Sequence, residues 1–235
     1  MKFSIIIPAR NEEVWLGACQ ESVRAAARTF PGEVEVVVVL NRCTDGTERI
    51  AREYGAKVIS DDAKNLAHLR NAGARASTGE ILVTIDADST MTPNMLAEID
   101  RKLVTGKYIG GGVPIHPERL SLGLVVSGLL ILSFLPPGIS AGLFWCLRSV
   151  FEAIGGFDES RIVGEDVDFA IRLKAYGKKR KQRFGTLWKT HITTSCRKFD
   201  QLGDWFLAKK PWVLWRAIHG TDTSYADLYF YDFMR

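Results

Sequence analysis

The 235-residue chain has four cysteines, Cys19, Cys43, Cys146 and Cys196, and no two form a Cys-x-x-Cys pair. That scatter excludes a disulfide-stapled scaffold and a structural zinc centre, and it predicts free thiols in a reducing, cytoplasmic compartment. No secretory signal is visible, and none is expected. Met1-Lys2-Phe3-Ser4 runs into only three more apolar residues before Pro8 and Arg10, which reads as a first strand. Charge is absent over one long segment, from Leu120 to Leu147. Its apolar part, Leu120 to Leu135, is about 16 residues long and is stopped by Pro136-Pro137, short of the roughly 20 needed to span a bilayer. The segment is therefore expected to form a buried or membrane-touching helix. With 25% charged and 46% hydrophobic residues, the chain falls outside the disordered and fibrous classes.

Charge is unevenly placed. Twelve Lys or Arg stand against Asp200 and Asp204 between Lys174 and Arg216, a local balance of +10, and the remainder of the chain carries −6. Such a basic stretch suits nucleic acid, anionic lipid or a polyphosphate. No helix-turn-helix, zinc or stacking motif accompanies it, so nucleic acid is not the expected partner. Within it, the segment from Trp205 to Trp215, with Lys209, Lys210, Trp212 and Arg216, mixes aromatic and cationic side chains. That mixture suits a membrane interface, and equally a helix packed across the fold.

Apolar runs alternate with helix signals through the first half. Strands are predicted over Phe3 to Ile7, Glu33 to Leu40, Lys57 to Ser60 and Glu80 to Ile85. Helices are predicted over Asn11 to Thr29, Thr44 to Tyr54, Leu66 to Ala76 and Pro93 to Val104. This spacing implies a parallel, doubly wound sheet with its ligand edge after the strand ends. That edge collects Arg10, Asn41, Asp45, Asp61, Asp86 and Asp88. Beyond Gly106 the pattern loosens. Gly110-Gly111-Gly112 interrupts a possible strand, Gly142 to Leu147 reads as another, and helices are expected over Ser149 to Ala153 and Val167 to Ala175.

Asp86-Ala87-Asp88 ends the fourth predicted strand with two carboxylates one residue apart. Hard oxygen ligands of this kind suit Mg²⁺ or Mn²⁺ seated on a substrate phosphate. Asp88 ahead of Pro93 equally suits a helix cap. Asp86-Ala87-Asp88-Ser89-Thr90 also fits the nucleophile motif of haloacid dehalogenase-type phosphohydrolases, which normally sits in the first strand of the core.

Six short blocks in order carry a resemblance: Ile5-Ile6-Ile7-Pro8-Ala9-Arg10-Asn11-Glu12-Glu13, Asn41-x-x-Thr44-Asp45-Gly46-Thr47, Arg70-Asn71-x-Gly73, Asp86-Ala87-Asp88, Gly155-Gly156-Phe157-Asp158-Glu159 and Glu165-Asp166. In this order the chain resembles the family 2 glycosyltransferases. The resemblance implies a GT-A fold, a Rossmann-like and mostly parallel sheet flanked by helices with an acceptor-side region toward the C-terminus. It further implies inverting transfer of a sugar from a nucleotide-sugar donor, with Mn²⁺ or Mg²⁺ held by Asp88. Asp86 would contact the ribose or a metal-bound water, beside Ala87. Pro8, Ala9, Arg10 and Glu12 would line the base and ribose, joined by Asn41 and Asp45, and Arg70 would approach the base or diphosphate.

Inversion by one displacement needs a carboxylate that takes the acceptor proton, and the resemblance assigns this role to Asp166. Asp166 or Glu165 also suits the N-terminus of the following helix as a cap. Asn41 departs from the aspartate common at its position, which leaves uridine specificity open, because an amide both donates and accepts. His191 is the candidate third metal ligand, with an ordinary hydrogen-bonded histidine as the alternative. Thr193-Thr194-Ser195-x-Arg197-Lys198 would close over the diphosphate.

The expected organisation is one domain over residues 1–235: a nucleotide-binding half at 1–105, an acceptor and catalytic-base half at 106–198, and a helical tail at 199–235. The acceptor would be a sugar, a lipid-linked molecule or a small molecule in polysaccharide, glycolipid or cell-envelope synthesis. Peripheral association with the inner face of the membrane is part of the expectation.

Overall fold

Alternation along the first strand sets up the architecture: Phe3, Ile5 and Ile7 enter one hydrophobic layer and Ile6 enters the other. A sheet covered on both faces follows, which is what near-continuous apolar strands require. The computed structural model of the chain describes residues 1–161 and 163–212. The first half runs β1 (Lys2–Ala9), α1 (Leu16–Arg28), β2 (Glu33–Leu40), α2 (Thr47–Glu53), β3 (Lys57–Ser60), α3 (Leu66–Ala76) and β4 (Ile81–Thr84). Next come β5 (Ser89–Met91), α4 (Met95–Val104), β6 (Tyr108–Gly112), β7 (Ile115–Pro117), α5 (Leu122–Phe134), β8 (Phe144–Leu147) and α6 (Arg148–Ala153). The described part closes with α7 (Glu165–Lys179), β9 (Arg183–Thr186), β10 (Ile192–Thr194), α8 (Arg197–Leu202) and α9 (Phe206–Lys209).

Seven strands form the main sheet in the order β3-β2-β1-β4-β8-β6-β9. β1 pairs in parallel with both β2 and β4, so the winding direction reverses at β1. Open α/β sheets place ligands at such a reversal, beyond the carboxyl ends of the strands. β8 lies antiparallel between β4 and β6, which makes the sheet mostly rather than wholly parallel. α1 and α4 pack on one face through Leu16, Val23, Met95 and Ile99, and α3, α6 and α7 on the other through Leu69, Phe151 and Phe169.

Three differences from the sequence expectation have local causes. The helix expected from Asn11 begins at Leu16, because Asn11 is left-handed (φ 53°) and the Glu12 amide donates to Thr47 Oγ1 at 2.7 Å. The glycine run at 110–112 does not interrupt a strand; it is β6. A Cβ on Gly111 would lie 1.8 Å from the Gly185 carbonyl oxygen, so β6 approaches β9 this closely only because Gly111 has no side chain. A three-stranded sheet, β5-β10-β7, was not legible because its strands have only three residues each. It fastens the segment after Asp88 to the basic C-terminal region through Ile192 opposite Met91 and Thr194 opposite Ser89.

Among the described residues no helix is long and apolar enough to cross a membrane. Of the expected tail, α8, α9 and Trp212 are described; residues 213–235, with Trp215 and Arg216, lie outside the described residues.

Candidate active site

Three elements aim charged side chains into one cleft at the winding reversal. α3 approaches β1 closely enough that a Cβ on Gly73 would lie 2.4 Å from Ile6 Cγ2. The same helix carries Arg70 beneath the cleft, 7% exposed, with its guanidinium over the Phe157 ring. Arg70 Nη2 donates to Asp86 Oδ1 at 2.9 Å and Nη1 donates to Glu165 Oε1 at 2.6 Å. One buried guanidinium thus joins the loop after β4 to the first turn of α7.

Asp166 follows Glu165 in that turn, and its Oδ1 accepts from the Val167 amide at 2.7 Å. Burial raises the Glu165 carboxyl to about 7 against the pull of Arg70, and the neighbouring Asp166 and Asp86 add to the rise. Burial likewise raises Asp166, opposed by Arg70. Burial is the main cause, and the single guanidinium, which faces all three carboxylates, offsets only part of it.

The opposite wall comes from the segment after β10. Arg197 grips Glu12 with two hydrogen bonds, 2.8 and 2.7 Å, and its Nη2 lies 3.1 Å from Asp88 Oδ2. Burial, and then Asp86, raise the Asp88 carboxyl, while Arg197 and Lys198 lower it. The cleft encloses about 360 Å³, within the range of about 300–1,000 Å³ typical of small-molecule sites. Glu12, Asp86, Asp88, Glu165 and Asp166 face Arg70, Arg197 and Lys198 there, so acids outnumber cations by two.

Of the residues singled out in the sequence, Pro8, Glu12, Arg70, Asp86, Ala87, Asp88 and Asp166 come together in this cleft. Ala9, Arg10, Asn41, Asp45 and His191 do not line it. Ala9 is the buried end of β1 and accepts from the Asn41 amide at 2.8 Å. Asn41 is fully buried, and its Nδ2 donates to the carbonyls of Asp61 and Ala63 at 2.7 and 2.9 Å. Its amide protons are spent on loop structure rather than turned toward a ligand. Asp45 holds the start of α2, accepting from the Thr47 amide at 3.0 Å and the Glu13 amide at 3.1 Å. Arg10 has Nε and Nη1 buried without a hydrogen-bond partner among the described residues.

His191 precedes β10, and its carbonyl accepts from the Thr92 amide at 3.3 Å. Asp88, by contrast, pairs with Ser195 at the other end of the strand, its carbonyl accepting at 3.1 Å. The His191 ring stacks on His116 with centroids 4.0 Å apart. The structure therefore does not bring His191 to Asp88, because β10 separates them along its length. Among the described residues no group of three or more His, Cys, Asp and Glu converges into a metal cage.

Sequence reasoning gave Arg70 a ligand-facing role, and the structure adds its double ion pair. It also left unread the grip of Arg197 on Glu12, which is 185 positions away along the chain. The only signal was the pair Arg197-Lys198 after a short polar strand.

The acidic pair at the winding reversal, the carboxylate turn and the basic residues Arg197 and Lys198 thus line one polar cleft. The profile described as glycosyl transferase family 2 matches residues 4–125, just over half of the chain. The chain belongs to glycosyl transferase family 2. An uncharacterized glycosyltransferase of Mycobacterium tuberculosis is 33% identical over 110 residues, covering 44% of this chain and 47% of the relative. The chain thus spans about half the length of the curated relatives it matches first.

Among solved structures, Staphylococcus aureus TarS in complex with UDP-GlcNAc aligns with a TM-score of 0.65 at 20% identity, over 84% of this chain and 59% of that one. Mycobacterium tuberculosis glucosyl-3-phosphoglycerate synthase, in complex with Mn²⁺, UDP and phosphoglyceric acid, aligns at 0.61 and 19% identity, over 95% and 80%. At these identities the likeness establishes the fold, which is GT-A.

Proposed function

We propose that the chain is an inverting glycosyltransferase that moves a sugar from a nucleoside-diphosphate donor to an acceptor hydroxyl. The observation that carries this reading is the Arg70 bridge, which sets the Asp86–Asp88 loop and the Glu165–Asp166 turn against one cleft. Such a pair of carboxylate groups supports two tasks: one side handles the leaving diphosphate, the other the incoming hydroxyl.

Asp166 takes the acceptor proton as the hydroxyl oxygen attacks the anomeric carbon. The new carbon–oxygen bond forms on the face opposite the breaking one, and the bonding pair leaves with the diphosphate. Arg197 and Lys198 stand on the diphosphate side and offset part of its charge.

Carboxylates outnumber cations in the cleft, which opposes a diphosphate by itself, so a bound divalent cation fits this donor set. Asp88 and Asp86 are the residues that would hold it, as hard carboxylate ligands for Mn²⁺ or Mg²⁺. When bound, the ion neutralises charge that builds on the departing diphosphate. The acceptor is a sugar, lipid-linked or small-molecule hydroxyl compound. The M. tuberculosis neighbour of the same fold holds Mn²⁺ with UDP and phosphoglyceric acid, which supports a reading with a divalent cation and a nucleotide.

The dehalogenase-type reading is not favoured: Asp86 is held by Arg70 at the end of β4, and the chain belongs to another family.

A thermal-shift panel of UDP, GDP, CDP and dTDP sugars, with and without Mn²⁺, tests the proposal. A true donor raises the melting temperature by mass action, and does so more with metal. Silence across the whole panel would contradict it.

A further inference from the structure

Helix α5 carries no charged residue, yet Leu122, Val125, Leu129 and Leu132 are 46–70% exposed. Their spacing of three, four and three places them on one stripe. The opposite side is built against the protein. Ser127 Oγ donates to the Asp204 carbonyl at 2.9 Å, and Gly123 leaves no room for a Cβ beside Asp204. Arg119 closes the joint with two bonds to Asp204, at 2.9 and 2.7 Å, and two to Asp200. α5 and α9 therefore form one rigid corner, and Arg119 neutralises the acids within it.

What remains on the rim is cationic and aromatic. α9 ends in Lys209 and Lys210, flanked by Trp205 and Trp212, which are 43% and 51% exposed. Cations and tryptophans around an apolar stripe match the headgroup layer of a bilayer. At 13 residues α5 is about 20 Å long, too short to cross a hydrocarbon core of about 30 Å. It suits lying on the surface.

We infer that α5 and α9 form a docking face for an anionic bilayer. The same corner reaches the cleft, because Arg197, Lys198 and Phe199 of α8 line the pocket one turn before Asp200 meets Arg119. Docking would present the cleft to hydroxyl acceptors held at the lipid surface. This step goes beyond the transfer reading, and vesicle binding measures it without any donor.

The test is flotation of the whole chain with phosphatidylglycerol-containing vesicles and with pure phosphatidylcholine vesicles, at low and high salt. The expected result is capture by the anionic vesicles. Each of K209Q and K210Q should weaken it by about 5-fold at low salt. The double variant L129S/L132S should abolish capture at either salt while leaving the melting temperature unchanged, since both side chains are exposed. No capture of the wild-type chain would overturn the inference. So would a stable dimer that loses association in L129S/L132S.

Discussion

Arg70 and Asp86 meet at 2.9 Å, while the other arm of the same guanidinium holds Glu165 at 2.6 Å. Asp86 is half exposed and Glu165 is buried, so Arg70 reaches from the interior to the cleft floor. Breaking such a bridge leaves a buried carboxylate without its partner, which costs about 3–5 kcal/mol. Arg70→Ala is therefore expected to lower stability by about that amount in denaturant unfolding. Arg70→Lys restores one charge but not the two-armed fork, so it should recover much of the stability and little of the turnover. Comparing unfolding midpoints with kcat for both variants checks this split.

The crowded carboxylates also set a pH response. Burial raises Asp166, and a base must be ionised to accept a proton, so with Asp166 as the proposed base transfer should be lost as pH falls through that raised value. The acid limb of kcat should lie above the range of an ordinary aspartate. Glu165→Gln removes a neighbouring negative charge and frees Arg70 for the remaining acids. It should move the limb to lower pH, and an unmoved limb would remove Asp166 from the base role.

A different carboxylate governs acid stability, away from the cleft. Glu35 on β2 accepts from Ser4 Oγ at 2.6 Å, from the Thr78 amide at 2.5 Å and from the Gly79 amide at 2.9 Å. Burial alone would raise it, but these hydrogen bonds outweigh burial and hold it at about 2. A depressed carboxylate contributes stability above its unfolded value, near 4.5, and loses it as pH falls toward 2. Glu35→Gln should cost about 2 kcal/mol at neutral pH and flatten the fall in unfolding free energy across that window. Urea titrations at several pH values measure both.

Most of the fold was legible because the first half obeys simple periodicities. α3 runs over Leu66–Ala76 as predicted, and β4 lies inside its predicted run. Local chemistry fixes these elements: Asn65 caps α3 by accepting from the His68 amide at 2.9 Å. The three-residue strands of the small sheet were not legible, since pairing of Ser89 with Thr194 is decided across 105 positions. The site divides the same way. Asp86 and Asp88 announce themselves by position after a strand, whereas the Glu12–Arg197 pair is created only by folding. Asn41 shows the converse: its place in a motif suggested base recognition, and its complete burial gives it a structural task instead. The uncharged segment was read correctly as a helix, but Leu122, Leu129 and Leu132 are exposed where burial was one expectation, because the protein packs only on its Gly123, Leu124 and Ser127 side.

The central claim is the division of labour between Asp88 on the donor side and Asp166 on the acceptor side. The most direct measurement is donor binding and single-turnover transfer for Asp166→Asn, with Asp88→Ala alongside, using the donor found by thermal shift. Asp166→Asn is expected to bind donor nearly as the wild type does and to transfer nothing measurable, while Asp88→Ala loses metal-dependent binding. Full transfer by Asp166→Asn would contradict it.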